Sequence, residues 1–380
     1  MVRIGTLPMR LMTLDNGCDI AYSEELIDFK LSTCKRVYNE QYNTIDFVDK
    51  SGFVVYRTCE SDRFNVLQIG TPSAVTALNA ANVVVKDICA LDINMGCPKH
   101  FSTQGNMGSK LLSKPETIKD ILTTLVRNLP ISVTCKIRLL EDDQKTIDLL
   151  KVIESCGVKA IGVHTRTIPE RPRDSAHWDR LKNILENASF SVPIIANGSI
   201  FKHDDMERVK TETKASSIMV ARGAIKNPSM FRNHSPGFKS IIQDYLRYSW
   251  KTCNHIKNSK YVICYILSEN NAGNGPEFKQ TQKAMDYESM FKLQKQQQQS
   301  KKKTRDELND LNIDKNTDDN NNINNNNNNI DLDGGSDDED AIERLRKKQC
   351  TVEPTAIINN PILPTNTITD ASMITDVKAN

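Results

Sequence analysis

Cys97 is the first residue of this chain whose setting suggests chemistry. It lies in LDINMGCPKHFSTQGNMGSKLL, Leu91–Leu112, between Gly96 and Pro98, with Gly105 and Gly108 close behind. Leu91 and Ile93 read as the end of a buried strand. Pro98 lacks the N–H that a central strand needs, so Cys97 is expected on a loop leaving the strand's C-terminal end. In parallel α/β architectures that end is where ligands bind. The glycines let backbone approach a ligand closely. A single cysteine there is open to three readings: proton donor, nucleophile, or a small buried side chain that only packs.

Other strand ends carry polar residues as well. Gln68 and Gly70 follow one apolar run, and Asn94 precedes Cys97. Lys136 and Arg138, His164 and Arg166, Asn197 and Gly198, and Ala221, Arg222 and Gly223 close four more. Six consecutive strands ending this way describe the rim of an active site. The loops NGSI and ARGA place glycine where backbone N–H groups can face an anion, after the strands that commonly form a barrel's phosphate site. Lys136 is suited to neutralising an electron-rich ring, and Gln68 to hydrogen-bonding a flat heterocycle. Together they point to flavin mononucleotide, its ring over the mouth of the barrel.

The elements that must position these residues are seven strand-like runs: DIAYSEE from Asp19, NVLQIG from Asn65, ALDINMG from Ala90, VTCKIRL from Val133, AIGVHTR from Ala160, VPIIANG from Val192 and SSIMVARG from Ser216. Between them lie helical patterns. KPETIKDILTTLVRNL has Pro115 at its start and Ile118, Ile121, Leu122 and Leu125 on one face. DDQKTIDLLKVIESCG is closed by Gly157. Repeated β-then-α units predict a parallel sheet, here a TIM (β/α)8 barrel over residues 1–233. NTIDFVDKSGFVVYRTC reads as a hairpin inserted after the first of these strands, turning at Lys50–Gly52. No strand stands before the helical segment TLPMRLMTLDNG, so the barrel is expected to lack its first strand and to have an open edge.

Residues 234–292 read as a small helical domain. Ile241, Ile242, Tyr245, Leu246, Ser249, Cys253 and Ile256 follow a helical period, and Lys239, Arg247, Lys251, His255, Lys257 and Lys260 make a basic opposite face against one acid, Asp244. Residues 293–380 form a Gln/Asn-rich, acidic tail that cannot bury enough surface to offset chain entropy and is expected to be disordered. AIERLRKKQC in that tail has the pattern of one or two helical turns, and Lys301–Lys303 read as a nuclear signal.

From Gln294 onward there are 11 Lys and Arg against 16 Asp and Glu, and before it 39 against 32. A mildly basic body suits a polyanionic partner. The ten cysteines form no CxxC pair and lack zinc-ligand spacing, so reduced thiols and no metal site are expected. No apolar run reaches the length of a membrane span, and the N-terminus lacks the apolar core of a secretory signal.

Taken in order, VRIGTLPMR, EELID, LQIG, DINMGCPK, GNMGSKLL, KIRLL, GVHTRT, RPRDSAHWD, IIANGSI and MVARGAIKNPSMF resemble the tRNA-dihydrouridine synthases, in particular their eukaryotic type-2 branch. The likeness spans Met1 to about Ile266. It implies a flavin barrel followed by a helical tRNA-binding domain. Carried over position by position, it implies that Met1, Gln68, Lys136, His164, Asn197, Gly198, Ala221 and Arg222 bind flavin mononucleotide. Cys97 becomes the general acid, and Asn94 and Arg166 position the target uracil. NADPH or NADH is then the reductant, tRNA the partner, position 20 of the D-loop the target, and a monomer in the cytoplasm, or also the nucleus, the expected state. Two features depart from the family. Its pattern has a strand ending in Ala-Pro just before the residue matching Met1. Animal relatives of this branch also carry a double-stranded-RNA-binding domain where this chain has its Asn-rich tail. The rival reading is a non-catalytic tRNA-binding relative that has lost flavin together with that strand.

Overall fold

The computed structural model describes residues 1–294. The expectations for the polar tail, for Lys301–Lys303 and for AIERLRKKQC lie outside the described residues. The chain opens with α1 (Leu7–Asp15), β1 (Ala21–Ile27) and α2 (Asp28–Ser32), then an antiparallel meander of β2 (Lys35–Asn39), β3 (Thr44–Val48) and β4 (Val54–Thr58). Strands and helices then alternate, with two helices between β6 and β7: β5 (Asn65–Gly70), α3 (Ala74–Val84), β6 (Ala90–Asn94), α4 (His100–Gln104), α5 (Pro115–Asn128), β7 (Ser132–Arg138), α6 (Asp143–Ser155), β8 (Ile161–His164), α7 (Trp178–Asn187), β9 (Ile194–Asn197), α8 (His203–Thr213), β10 (Ser217–Met219) and α9 (Arg222–Lys226). Helices α10 (Phe238–Lys251), α11 (Ile256–Glu269), α12 (Pro276–Lys283) and a last one over 287–294 complete the described chain.

All seven expected strands form, and they pair in parallel in the order β1-β5-β6-β7-β8-β9-β10. β5 is buried along its whole length, as its unbroken run NVLQIG requires for a strand covered on both faces. Among the described residues β1 and β10 are the edge strands of the sheet and do not pair with each other. Against the β1 edge runs the N-terminal segment: a Cβ at Gly5 would lie 2.6 Å from the Glu24 nitrogen, so only glycine fits there. The helices cover the sheet with the faces their periodicity marks. On α5, Ile118, Ile121, Leu122 and Leu125 are fully buried, each worth roughly 1.5–3 kcal/mol on leaving water. The Asp142 side chain caps α6 by accepting from the Lys145 N–H at 3.0 Å, and Gly157 leaves the helix at φ +85°.

The inserted hairpin is a three-stranded meander. Its extra strand, β2, is KRVYN, which is solvent-exposed and lacks the apolar alternation by which strands are read from sequence. β2 pairs with β3 alone and forms an outer edge, so nothing demands an apolar face. Phe47 and Tyr56 turn inward to the main core with ring centroids 5.7 Å apart.

A second core joins the helices to the N-terminus. Ile4, Met9, Met12 and Ile225 pack with Ile241, Tyr245 and Leu246 of α10 and with Val262, Ile263 and Ile266 of α11. Two arginines fasten this unit. Buried Arg10 donates to Asp62 at 2.6 Å and to the carbonyl of Gly5 at 2.7 Å. Arg57, paired with Asp46, donates to the carbonyls of Thr252 and Cys253 at 2.6 and 2.7 Å, where α10 ends.

Candidate active site

β5, β6 and β7 bring a ladder of side chains to their C-terminal ends. Thr134 Oγ1 donates to Asp92 Oδ1 at 2.7 Å, and Gln68 Nε2 donates to Asp92 Oδ2 at 2.8 Å. Asn94 Nδ2 donates to Gln68 Oε1 at 3.0 Å, and its own Oδ1 accepts the backbone N–H groups of Gly96 and Cys97 at 3.1 and 3.0 Å. An ionised carboxylate only accepts, so Asp92 fixes which way the Gln68 amide points, and Gln68 in turn fixes Asn94. The far end of the ladder is the loop that carries Cys97. Asp92 is 1% exposed, and its carboxyl is raised above the usual range by burial, opposed by the hydroxyl, amide and Lys136 that favour its charge.

Cys97 is half-buried. Its carbonyl accepts from Ser109 N at 2.9 Å, and Gly108, at φ +59°, lies so close that a Cβ there would come within 2.5 Å of that carbonyl. Gly96, one residue before, has its carbonyl held by Arg138 Nε at 2.9 Å. The loop is therefore latched from the Asn94 side and from the Arg138 side. The thiol lies against Glu25 of β1 and Ser102 of α4, and burial followed by the Glu25 charge pushes its pKa up.

Lys136 stands between this ladder and a second group of residues. Its aliphatic stem runs over Gly162, where a Cβ would lie 3.2 Å from Lys136 Cγ. Burial first, then Arg138, lower its pKa to about 8, while Asp92 and Cys97 oppose the drop. His164 is depressed much further, to about 2, by burial and then by Lys136, Arg138, Arg166 and Arg222. The His164 ring is thus neutral. Arg166 NH1 contacts His164 Nε2 at 3.1 Å, and a guanidinium has no lone pair to offer, so Nε2 is the acceptor and Nδ1 carries the hydrogen.

A cavity opens beside His164. Arg138, Arg166 and Arg222 line it with Asn197, Gly198, Ser199 and Ala221, and no carboxylate is among its lining residues. Arg166 NH2 donates to Ser199 Oγ at 2.7 Å, and its Nε to the Asp174 carbonyl at 2.8 Å. Asn197 Nδ2 donates to the Met219 carbonyl at 2.8 Å, tying β9 to β10. Gly198 has φ +136°, and a Cβ there would come within 2.9 Å of Thr165 Oγ1 and 3.2 Å of Ala176 Cβ. Three guanidiniums around an acid-free cavity describe an anion site.

The residues singled out in the sequence thus gather into two neighbouring sets. Gln68, Asn94 and Cys97 share the ladder, and His164, Arg166, Asn197, Gly198, Ala221 and Arg222 share the cavity, with Lys136 electrically coupled to both. Met1 is 40% exposed, and its nitrogen lies among Glu24, Lys136, Glu25 and Lys99. Asp92, Thr134, Glu25 and Ser102 join the site without having stood out in the sequence. The basic face read from the helical segment is partly tied up. Lys239 pairs with Glu277, Lys260 donates to the Ala284 carbonyl at 2.8 Å, Arg247 meets Asp244 at 3.2 Å, and His255 caps α11. Lys251 and Lys257 remain exposed.

Residues 20–322 match the protein family described as Dihydrouridine synthase (Dus). The tRNA-dihydrouridine(20) synthase (NAD(P)+) of Schizosaccharomyces pombe is 35% identical over 307 residues, covering 77% of this chain and 63% of the relative. The enzyme of the same name from Saccharomyces cerevisiae is 36% identical over 292 residues, covering 70% of this chain and 75% of the relative. The tRNA-dihydrouridine(20a/20b) synthase (NAD(P)+)-like protein of Mus musculus is 32% identical over 251 residues, covering 65% and 72%. The chain thus spans less than two thirds of the length of the first of these relatives.

Proposed function

Starting from the dihydrouridine synthase family, to which this chain belongs, we propose that the protein reduces a uridine of tRNA to 5,6-dihydrouridine, with flavin mononucleotide as cofactor and NADPH as reductant. The observation that carries this reading is the juxtaposition of a latched cysteine loop with a cavity lined by Arg138, Arg166 and Arg222, both at the C-terminal ends of one parallel sheet. The two yeast relatives whose names specify position 20 support that position of the D-loop as the target.

The residues fit the cofactor. An acid-free cavity with three guanidiniums suits a phosphate, with Asn197, Gly198, Ala221 and Arg222 on its wall. Gln68 and Lys136 lie toward the ladder, where an amide and a cation suit an electron-rich heterocycle, and the Met1 nitrogen feels the Lys136 charge. His164, neutral and donating only through Nδ1, joins the two parts. When bound, the reduced flavin supplies the hydride that goes to C6 of the uracil ring.

The protein supplies the rest. The target base must leave its stack to reach the strand ends. Asn94 and Arg166, each held by its own hydrogen bonds, are assigned to position it. Cys97 then donates the proton to C5. That step needs a group protonated at neutral pH, and a thiol raised by burial and by Glu25 meets the requirement. Lys136, depressed to about 8, is within reach of both charge states near neutrality and stabilises negative charge developing beside it. Exposed Lys251 and Lys257 on the helical unit add positive charge for RNA phosphates, making binding salt-dependent.

Purified protein tests this reading through its absorption spectrum, with the released cofactor identified by mass. Bound flavin mononucleotide, bleached by NADPH and re-oxidised on adding unmodified tRNA, is the expected result. A colourless protein that cannot be reconstituted with the flavin would contradict it.

A further inference from the structure

Glu25 of β1 is a buried acid that the proton transfer described above does not use. It is 7% exposed, and one carboxylate oxygen accepts from Ser102 Oγ at 3.1 Å; Ser102 itself is fully buried. The same oxygen lies 2.7 Å from the position a Cβ would take on Gly70, so the carboxylate occupies the space that glycine leaves at the end of β5. Cys97 lies next to this pair: a Cβ placed on Gly108 would fall 2.4 Å from Ser102 Oγ and 3.2 Å from Cys97 Cβ, and the Glu25 charge acts on the Cys97 thiol. Three elements therefore converge on one sulfur: β1 through Glu25, α4 through Ser102, and the loop after β6 that carries Cys97.

We propose that Glu25 is a positioning residue for the reaction, holding Cys97 as an oriented thiol before each proton transfer and drawing a proton back to the sulfur afterwards. The inference rests on the general-acid reading of Cys97. The proton leaves Sγ for C5, and the sulfur is left as a thiolate beside a carboxylate. Two negative charges side by side in a buried site repel, so the pair takes up one proton from water, and that proton settles on sulfur. No electron changes hands in this recovery step. Without the carboxylate the thiol would ionise more readily and offer a nucleophile where the reaction needs an acid.

The other charges facing the sulfur are cationic. Lys136 and Arg138 from β7 feel the Cys97 charge, Lys99 follows it in the loop, and the Met1 nitrogen and Lys99 face Glu25. All of them favour the thiolate, which leaves Glu25 as the acid that opposes them. Ser102 donates to the carboxylate and holds it in place beside the Cys97 loop.

The test is the pH dependence of Cys97 alkylation by iodoacetamide in the full chain, read at that residue by peptide mass spectrometry. It needs neither flavin nor tRNA, so it can fail while the synthase reading stands. In the unsubstituted protein the midpoint should lie above the ordinary thiol value of about 8.5. Glu25→Gln should lower the midpoint by about one unit, which makes Cys97 about tenfold more reactive at neutral pH. Glu24→Gln, whose carboxylate faces Arg3 instead, should leave it in place. Where turnover is measurable, the alkaline limb of the Glu25→Gln rate profile should move down by the same amount. An unsubstituted midpoint at or below the ordinary value would overturn the proposal without any variant. So would an unmoved midpoint in Glu25→Gln, or an equal shift in Glu24→Gln.

Discussion

Asn94 and Gln68 are joined by one hydrogen bond, 3.0 Å from Nδ2 to Oε1, and its direction is set by a residue that touches only one of them. Asp92 accepts from Gln68 Nε2 at 2.8 Å, so the Gln68 oxygen must face Asn94, and the Asn94 oxygen must face the backbone of Gly96 and Cys97. A buried carboxylate on β6 thereby orients the loop that holds Cys97.

Removing that carboxylate should cost stability as well as order. Asp92→Ala leaves Gln68 Nε2 and the Thr134 hydroxyl without their acceptor in a buried site. Each orphaned group costs about 1–3 kcal/mol, so urea unfolding should show a loss of roughly 2–6 kcal/mol. A loss below about 1 kcal/mol would mean that the ladder carries no such tension.

Cys97→Ala addresses the chemistry alone. In the proposed reaction the thiol is the proton source, while its backbone latch to Asn94 does not depend on the side chain. Flavin content and tRNA affinity should be retained, and dihydrouridine formation should slow by about 10²–10⁴-fold. Single-turnover oxidation of the reduced enzyme by tRNA measures this, and an unchanged rate would remove Cys97 from the mechanism.

Lys136→Met should separate function from stability. The Lys136 pKa, lowered to about 8 chiefly by burial, means that the folded protein penalises the charged form by about 3 kcal/mol. The folded state binds fewer protons than the unfolded one between about 8 and the ordinary lysine value. Stability should therefore rise with pH across that window, a slope the Met variant should lack. Cofactor-free Lys136→Met should be more stable than the unsubstituted protein by roughly 1–3 kcal/mol at neutral pH, and should hold flavin less well. Denaturant unfolding at several pH values, with flavin titration, checks both.

His164 sets the acid side. Its pKa falls to about 2, from an ordinary value near 6.5, because burial and the surrounding cations oppose its charge. Between those values the unfolded chain takes up a proton that the folded chain refuses, so stability falls as pH drops below 6.5. By pH 5.5 the loss from this residue should be about 1.4 kcal/mol. His164→Asn should flatten that part of the stability curve, as read by urea midpoints.

Much of this arrangement is legible in the sequence because parallel β/α repeats place strand ends in register. Once NVLQIG, ALDINMG and VTCKIRL are read as neighbours, Gln68, Asn94 and Lys136 must lie at one end of the sheet. What stays hidden depends on contacts between distant segments. Asp92 interrupts an otherwise apolar run, yet only its pairing with Gln68 and Thr134, from the two adjacent strands, makes burial of that charge tolerable. Glu25 looks like a solvent-facing acid until β1 is set beside Gly70 and Ser102. β2 has no apolar alternation because it is an exposed edge. The basic helical face loses Lys239 to Glu277, a partner 38 positions later that no helical period could reveal.

The central claim, reduction of a tRNA uridine by this chain, is tested most directly by mass. An unmodified tRNA transcript is incubated with the protein, flavin mononucleotide and NADPH, then digested and its fragments weighed. The account predicts a gain of two hydrogens in the D-loop fragment that contains position 20, dependent on NADPH and lost in Cys97→Ala. Unchanged fragments, with flavin demonstrably bound and reduced, would contradict it.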